Sequence, residues 1–216
     1  MTGPTAVGDD SSTVLAGELA ALLIGDHQLR TRRRPVIAIA GESGSGKSVT
    51  ASALARCLSA SGIPAAVLHQ DDYFVRPPRA NHEHRMRDLS SVGPQEVNAA
   101  LLQSHVEHFR GARDGVVVPR VHYPTDCFLT ASVDFGPVAV LVVEGTYALR
   151  LVTADVGIFL EATHDDTHER RRIRNRDIDA PIIGQVLAIE HTIIGQQREL
   201  ARIVIDRAFS IRPSQR

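Results

Sequence analysis

Val36-Ile-Ala-Ile-Ala-Gly41-Glu-Ser-Gly-Ser-Gly-Lys-Ser48 is the stretch on which the fold turns. Residues 36–40 are apolar without alternation, the pattern of a strand buried on both faces. Gly41 to Ser48 then satisfies GxxxxGK[ST] at every required position, and Val49, Ala53, Leu54 and Leu58 recur at helical spacing over 48–59, before the stop at Gly62. Strand, glycine loop and helix in that order are the context in which this motif holds phosphate. Glycines at 41, 44 and 46 admit backbone conformations closed to other residues, so successive N–H groups turn inward and the helix N-terminus adds positive potential. Lys47 has the reach for β- and γ-phosphates, and the Ser48 hydroxyl is a Mg²⁺ ligand type. Gly41, Glu42, Ser43, Gly44, Ser45, Gly46, Lys47, Ser48 and Val49 are therefore the candidate nucleotide cradle, with ATP and Mg²⁺ the expected cofactors.

Outward from this loop, apolar runs at 65–68, 116–118, 138–143, 158–160 and 203–205 read as further strands of one parallel sheet. Helical patterns at 13–24, 94–109 and 181–200 lie between or beside them. Alternating strands and helices predict an α/β fold, a P-loop NTPase three-layer sandwich with a parallel central sheet. The chain has 216 residues, enough for one such domain, expected over 35–216 with a tail and helix over 1–34 packed on it. The run Arg30-Thr-Arg-Arg-Arg34 reads as a solvated connector. Segments 76–92 and 163–180 are too polar to dock firmly by apolar contact and are expected to be mobile covers, on the acceptor side and as a lid respectively.

Composition excludes several classes. Lys+Arg 24 against Asp+Glu 25 gives a net charge of −1, which argues against a nucleic-acid partner. Cys57 and Cys127 form no CxxC pair, so no cysteine zinc site or disulfide framework is expected. No apolar run approaches membrane-spanning length, and the N-terminus lacks a basic segment followed by an apolar one; the expectation is a cytoplasmic protein without a membrane partner. The DxxG and NKxD motifs of GTPases are missing. The pairs His82/His84 and His164/His168 lack a suitable third ligand nearby and read as solvated.

Two acidic positions fall at strand ends, where ligands of open α/β sheets gather. Asp71, in His69-Gln-Asp-Asp-Tyr-Phe74, is the candidate general base, on a strand expected beside the P-loop strand; Asp72 is expected to turn away or cap the next segment. Glu144, after 138–143, fits an acid that contacts Mg²⁺ through water. In the lid, His168-Glu-Arg-Arg-Arg-Ile-Arg-Asn-Arg-Asp177, Arg172 and Arg176 stand four apart and can share a face that clamps a transferring phosphoryl group.

GESGSGKS, HQDDYF, VVEG and RRIRNRD, in this order and at these intervals, resemble the uridine kinase/phosphoribulokinase family over about residues 35–206. The resemblance implies transfer of the ATP γ-phosphoryl group to a hydroxyl of a small molecule, with a nucleoside foremost. It matches Asp71 to the family's catalytic Asp and Glu144 to its Mg²⁺-associated Glu. It also implies an acceptor pocket involving Tyr73, Asp88, His122 and Tyr123 of Pro119-Arg-Val-His-Tyr123, and Arg171. The lid is one residue longer than the family's RRIxRD, and 76–92 lacks its Asn-Phe-Asp-His-Pro pattern. Pantothenate, nicotinamide riboside or a sugar therefore stay open as acceptors, as do a regulatory ATP-binding role and a homo-oligomer.

Overall fold

The computed structural model describes residues 8–26, 31–162 and 182–213. In chain order the elements are α1 (Gly8–Gly25), β1 (Val36–Gly41), α2 (Lys47–Ala60), β2 (Ala65–His69), α3 (Pro78–Arg87), α4 (Ala99–Arg110), β3 (Val116–His122), β4 (Cys127–Val133), β5 (Val140–Glu144), α5 (Ala148–Leu151), β6 (Val156–Leu160), α6 (Ile183–Gly195), β7 (Ile203–Ile205) and β8 (Ile211–Pro213). Short 3-10 turns at Gln70–Tyr73 and Pro94–Glu96 matter for the site.

The central sheet runs β2-β5-β1-β6-β7-β8, parallel except for the β7–β8 pair. Every residue of β1 is buried, because the sheet is covered on both faces. Ile37 and Ile39 face a layer containing Leu15, Leu19 and Leu23 of α1 and Ala51, Leu54 and Leu58 of α2. Val36, Ala38 and Ala40 face the other layer, with Leu102, Val106 and Phe109 of α4, Ala148 of α5 and Ile194 of α6. These are the three layers expected. In α1 the buried residues recur every four positions, whereas Val14 and Leu22 lie outside that stripe and are exposed.

Four expectations need correction. The strand at 116–118 is not in the central sheet: β3 pairs antiparallel with β4 as a separate hairpin. Only Val116 and Val118 of the apolar triplet are buried, so its pattern is the alternation of a one-faced strand that a three-residue run hides. The helix expected over 94–109 is split, because Val97 bridges to Phe74 and Asn98 caps α4 by accepting from Leu101 N–H. Arg34 in the basic connector is structural: its guanidinium donates to the carbonyls of Phe109 (2.6 Å) and Phe135 and lies 4.7 Å from the Phe109 ring centroid. Finally, α3 within 76–92 is docked, but by charge. Asn81 Nδ2 donates to Glu96 Oε1 (2.9 Å), and Arg85 forks onto Glu96 through Nε (2.5 Å) and Nη2 (2.8 Å). Arg85 Nη2 also reaches Glu190 Oε1 on α6 (3.0 Å). A buried, saturated carboxylate replaces the apolar stripe that the helix lacks.

No described helix is long and apolar enough to cross a membrane.

Candidate active site

The sheet register assembles the site. Glu144 is level with Ile39 on one side and His69 on the other, since β5 lies between β1 and β2. The Asp71 strand is therefore not adjacent to the P-loop strand, as expected, but one strand further out, with Glu144 between them. Gln70 tightens this corner: its Oε1 accepts from Tyr147 N–H (2.7 Å), and its side chain packs on Gly145 so closely that a Cβ there would stand 2.2 Å from Gln70 Cβ.

Ser43, Gly44, Lys47 and Ser48 of the loop, Asp71 and Glu144 line one cavity of about 500 Å³. Gly41 lies behind it, where a Cβ would stand 2.8 Å from the Leu160 carbonyl oxygen, so the loop can only follow this path with glycine. Lys47 Nζ donates to the Glu42 carbonyl (2.8 Å), which folds the ammonium back over the loop. The Glu42 carboxylate pairs instead with His191 Nδ1 on α6 (2.6 Å), tying the loop to that helix. Val49 is 41% exposed and does not line the cavity.

Glu144 is buried against His69, whose Nδ1 is 2.7 Å from Oε1. Burial by itself would push this carboxyl up; the His69 hydrogen bond, the Lys47 charge and the nearby Ser48 hydroxyl outweigh it and hold Glu144 below its ordinary value. The same hydrogen bond, against the opposing effect of burial, lifts His69 above its ordinary value. The result is an anionic oxygen beside a hydroxyl and an ammonium at the mouth of the glycine loop. Mg²⁺ keeps several waters and takes few protein ligands when phosphates supply the rest. Ser48 and Glu144 fit that role, and the glycine loop, with Gly44 and Gly46 at positive φ, fits a polyphosphate. Among the described residues no cluster of three His, Cys, Asp or Glu offers an all-protein metal cage.

Asp71 and its neighbour have different surroundings. Successive residues of a 3-10 turn project about 120° apart. Asp72 is buried and accepts from Arg120 Nη1 (2.7 Å) and Val121 N–H (2.8 Å), fastening the β3–β4 hairpin to the turn. Asp71 faces the cavity, 3.4 Å from the Tyr123 hydroxyl, which also lines it.

The other acceptor-side residues separate. Tyr73 is in the core, its hydroxyl 2.8 Å from His105 Nδ1, because the turn points it to a third side, about 120° away from Asp71. Asp88 is exposed outside the cavity, where it caps a turn by accepting from Ser90 N–H and Oγ–H. His122 bonds Thr125 Oγ1 at the hairpin end instead of entering the cavity. Arg171, Arg172 and Arg176 of the lid lie outside the described residues.

The cavity wall contains groups that sequence reading passed over: Phe74, Asn81, Arg85, Phe128 and Glu190. Burial, partly offset by Arg85, lifts the Glu190 carboxyl above its ordinary value. The available signal was Glu190 itself, a lone acid in the apolar run Val186-Leu-Ala-Ile-Glu190-His-Thr-Ile-Ile194.

The Phosphoribulokinase / Uridine kinase family matches residues 36–180. The bifunctional alpha-galactosidase/sucrose kinase AgaSK of Mediterraneibacter gnavus is 30% identical over 192 residues, 82% of this chain but only 20% of that protein's own length. A uridine kinase of Ureaplasma parvum is 28% identical over 151 residues, covering 68% of this chain and 72% of its own. In fold, the chain is similar to a solved structure described as a possible uridine kinase from Bacillus stearothermophilus. The TM-score is 0.66 at 18% identity, over 88% of this chain and 97% of that one.

Proposed function

Because the chain belongs to the phosphoribulokinase/uridine kinase family, we propose that it transfers the γ-phosphoryl group of ATP to a hydroxyl of a small molecule, a nucleoside in the first reading. The observation that carries the proposal is the shared cavity of Lys47, Ser48, Asp71 and Glu144. The glycine-loop N–H groups and Lys47 bind the β- and γ-phosphates and neutralise charge that spreads over the transferring group. Asp71 orients the acceptor O–H in line and takes its proton as the new O–P bond forms and ADP departs. Ser48 and Glu144 would hold Mg²⁺, which when bound draws charge off the phosphate oxygens. Tyr123 steadies the Asp71 carboxylate through Oδ2. Arg172 and Arg176, which lie outside the described residues, are proposed to neutralise the transferring phosphoryl group.

A sugar acceptor is the second reading, favoured by the relative named as a sucrose kinase. The test is ADP release from ATP across nucleosides, sugars, pantothenate and nicotinamide riboside, with Lys47→Ala beside the wild type. Acceptor-stimulated ADP release that disappears in Lys47→Ala, together with weakened ATP binding, is the expected result. Turnover at the wild-type rate in Lys47→Ala refutes the phosphate-loop assignment, and slow acceptor-independent hydrolysis alone would favour a regulator.

A further inference from the structure

The Arg85 network holds a donor edge open towards the cavity. Its guanidinium is gripped on two sides, by Glu96 through Nε and Nη2 and by Glu190 through Nη2. Glu96 is itself saturated: Oε1 takes Asn81 Nδ2 and Arg85 Nε, and Oε2 takes Arg85 Nη2 and Gly93 N–H. The planar group cannot swing, yet Nη1 has no partner among the described residues, and Arg85 and Glu190 both line the cavity. Asn81 adds a second sign of a missing ligand. A carboxylate accepts only, so the amide must turn Nδ2 to Glu96, and the Oδ1 left over is buried without a partner in the same wall.

We propose that Arg85, with Glu190 beside it, is the specificity-determining residue for the acceptor, and that it reads two adjacent hydroxyls of a neutral diol-bearing molecule. Nη1 donates to one hydroxyl, and the second oxygen of Glu190 accepts from the next. Each alcohol is both donor and acceptor, so a vicinal pair matches a donor edge and an acceptor edge held side by side. An anionic acceptor fits this corner poorly, because the Arg85 charge is already met by the Glu96 fork and a further anion would face two carboxyls. The inference rests on the kinase reading of this cavity and deepens it. Ribose hydroxyls of a nucleoside and hydroxyls of a free sugar share this chemistry, and the assay separates them.

Binding is measured by calorimetry with a non-hydrolysable ATP analogue present, and turnover separately as ADP release. The probes are uridine against 2′-deoxyuridine, D-ribose against 2-deoxy-D-ribose, D-glucose against 2-deoxy-D-glucose, and D-ribose 5-phosphate against D-ribose. Loss of a hydrogen bond to a charged group predicts that the wild type prefers the diol of at least one pair by about 10- to 100-fold. Which pair responds identifies the source. Arg85→Lys keeps the charge but loses the fork, and should bring the ratio to within about threefold while leaving ATP-analogue affinity unchanged. A merely structural Arg85 would lower thermal stability in the variant without touching the ratio. Arg85→Gln repeats the comparison if Arg85→Lys does not fold, and the wild-type ratios need no variant. Equal affinity within every pair, or no binding of any probe, overturns the inference. So does a preference for D-ribose 5-phosphate that survives Arg85→Lys, which would move selection to Arg76 and Arg79. Diol preference without ADP release refutes the kinase reading alone; ADP release without diol preference refutes this inference alone.

Discussion

Asp71→Asn and Asp72→Asn are the same chemical change one residue apart, and the structure predicts opposite consequences. Asp71 faces the cavity, and its described contact to the Tyr123 hydroxyl is long at 3.4 Å. Asparagine keeps the shape of the side chain, so the change should alter stability less than the same change at buried Asp72. Turnover should fall by about 10²–10⁴, the range for a lost general base, with ATP affinity little changed because Lys47 and the loop provide it. Asp72 is 5% exposed and fastens the hairpin through Arg120 at 2.7 Å and Val121 N–H at 2.8 Å. Its amide can still accept from one of them, so the loss is about 1–3 kcal/mol, since Arg120 is itself partly solvated. That is a fall of about 3–10 °C in Tm, with turnover affected far less. The assay is thermal unfolding of both variants beside acceptor-dependent ADP release and ATP binding. An Asp72→Asn protein that keeps its Tm and loses turnover would assign the base to the wrong carboxylate. If Asp71→Asn turns over normally, the mechanism itself fails.

Two further outcomes follow from the same corner of the sheet. Gly145→Ala puts a Cβ 2.2 Å from Gln70 Cβ, which is buried and cannot move aside freely. It should destabilise the protein by about 1–3 kcal/mol and reduce turnover by displacing Asp71; an unchanged Tm would refute the close packing. The His69–Glu144 pair makes stability depend on pH. Glu144, held below its ordinary 4.5, contributes above that value and loses the contribution as pH falls through its depressed pKa. His69, raised above its ordinary 6.5, contributes fully below that value and loses it as pH rises through its elevated pKa. The Tm gap between wild type and His69→Gln should therefore be widest between these ordinary values and narrow as pH rises through the elevated His69 value; a gap that keeps widening above the ordinary 6.5 contradicts the pairing.

The loop from Gly41 to Ser48 was legible from sequence because its chemistry is local: consecutive backbone N–H groups do the binding, and glycine is needed where the chain passes Leu160. The parallel strands of the central sheet were legible for a similar reason, since burial on both faces leaves continuous apolar runs such as 36–40, whereas the short antiparallel edge strand β8 carries no such run and went unread. Strand order was not legible, and it corrected the position of Asp71: Glu144 comes between the loop and the base because β5 inserts between β1 and β2. The two aspartates likewise look alike in HQDDYF, and only the 3-10 turn and the hairpin packed on it set one to the cavity and the other to Arg120. The acceptor wall was the least legible part. Arg85 reads as one charge in a polar segment expected to be a mobile cover, and its partners Glu96 and Glu190 stand 11 and 105 positions away. Sequence patterns carry the periodicity of burial and short motifs whose spacing is rigid. A buried ion pair has no such spacing, because it forms wherever the folded layers bring a cation and a carboxylate within reach, and here that meeting point is in the wall of the acceptor pocket.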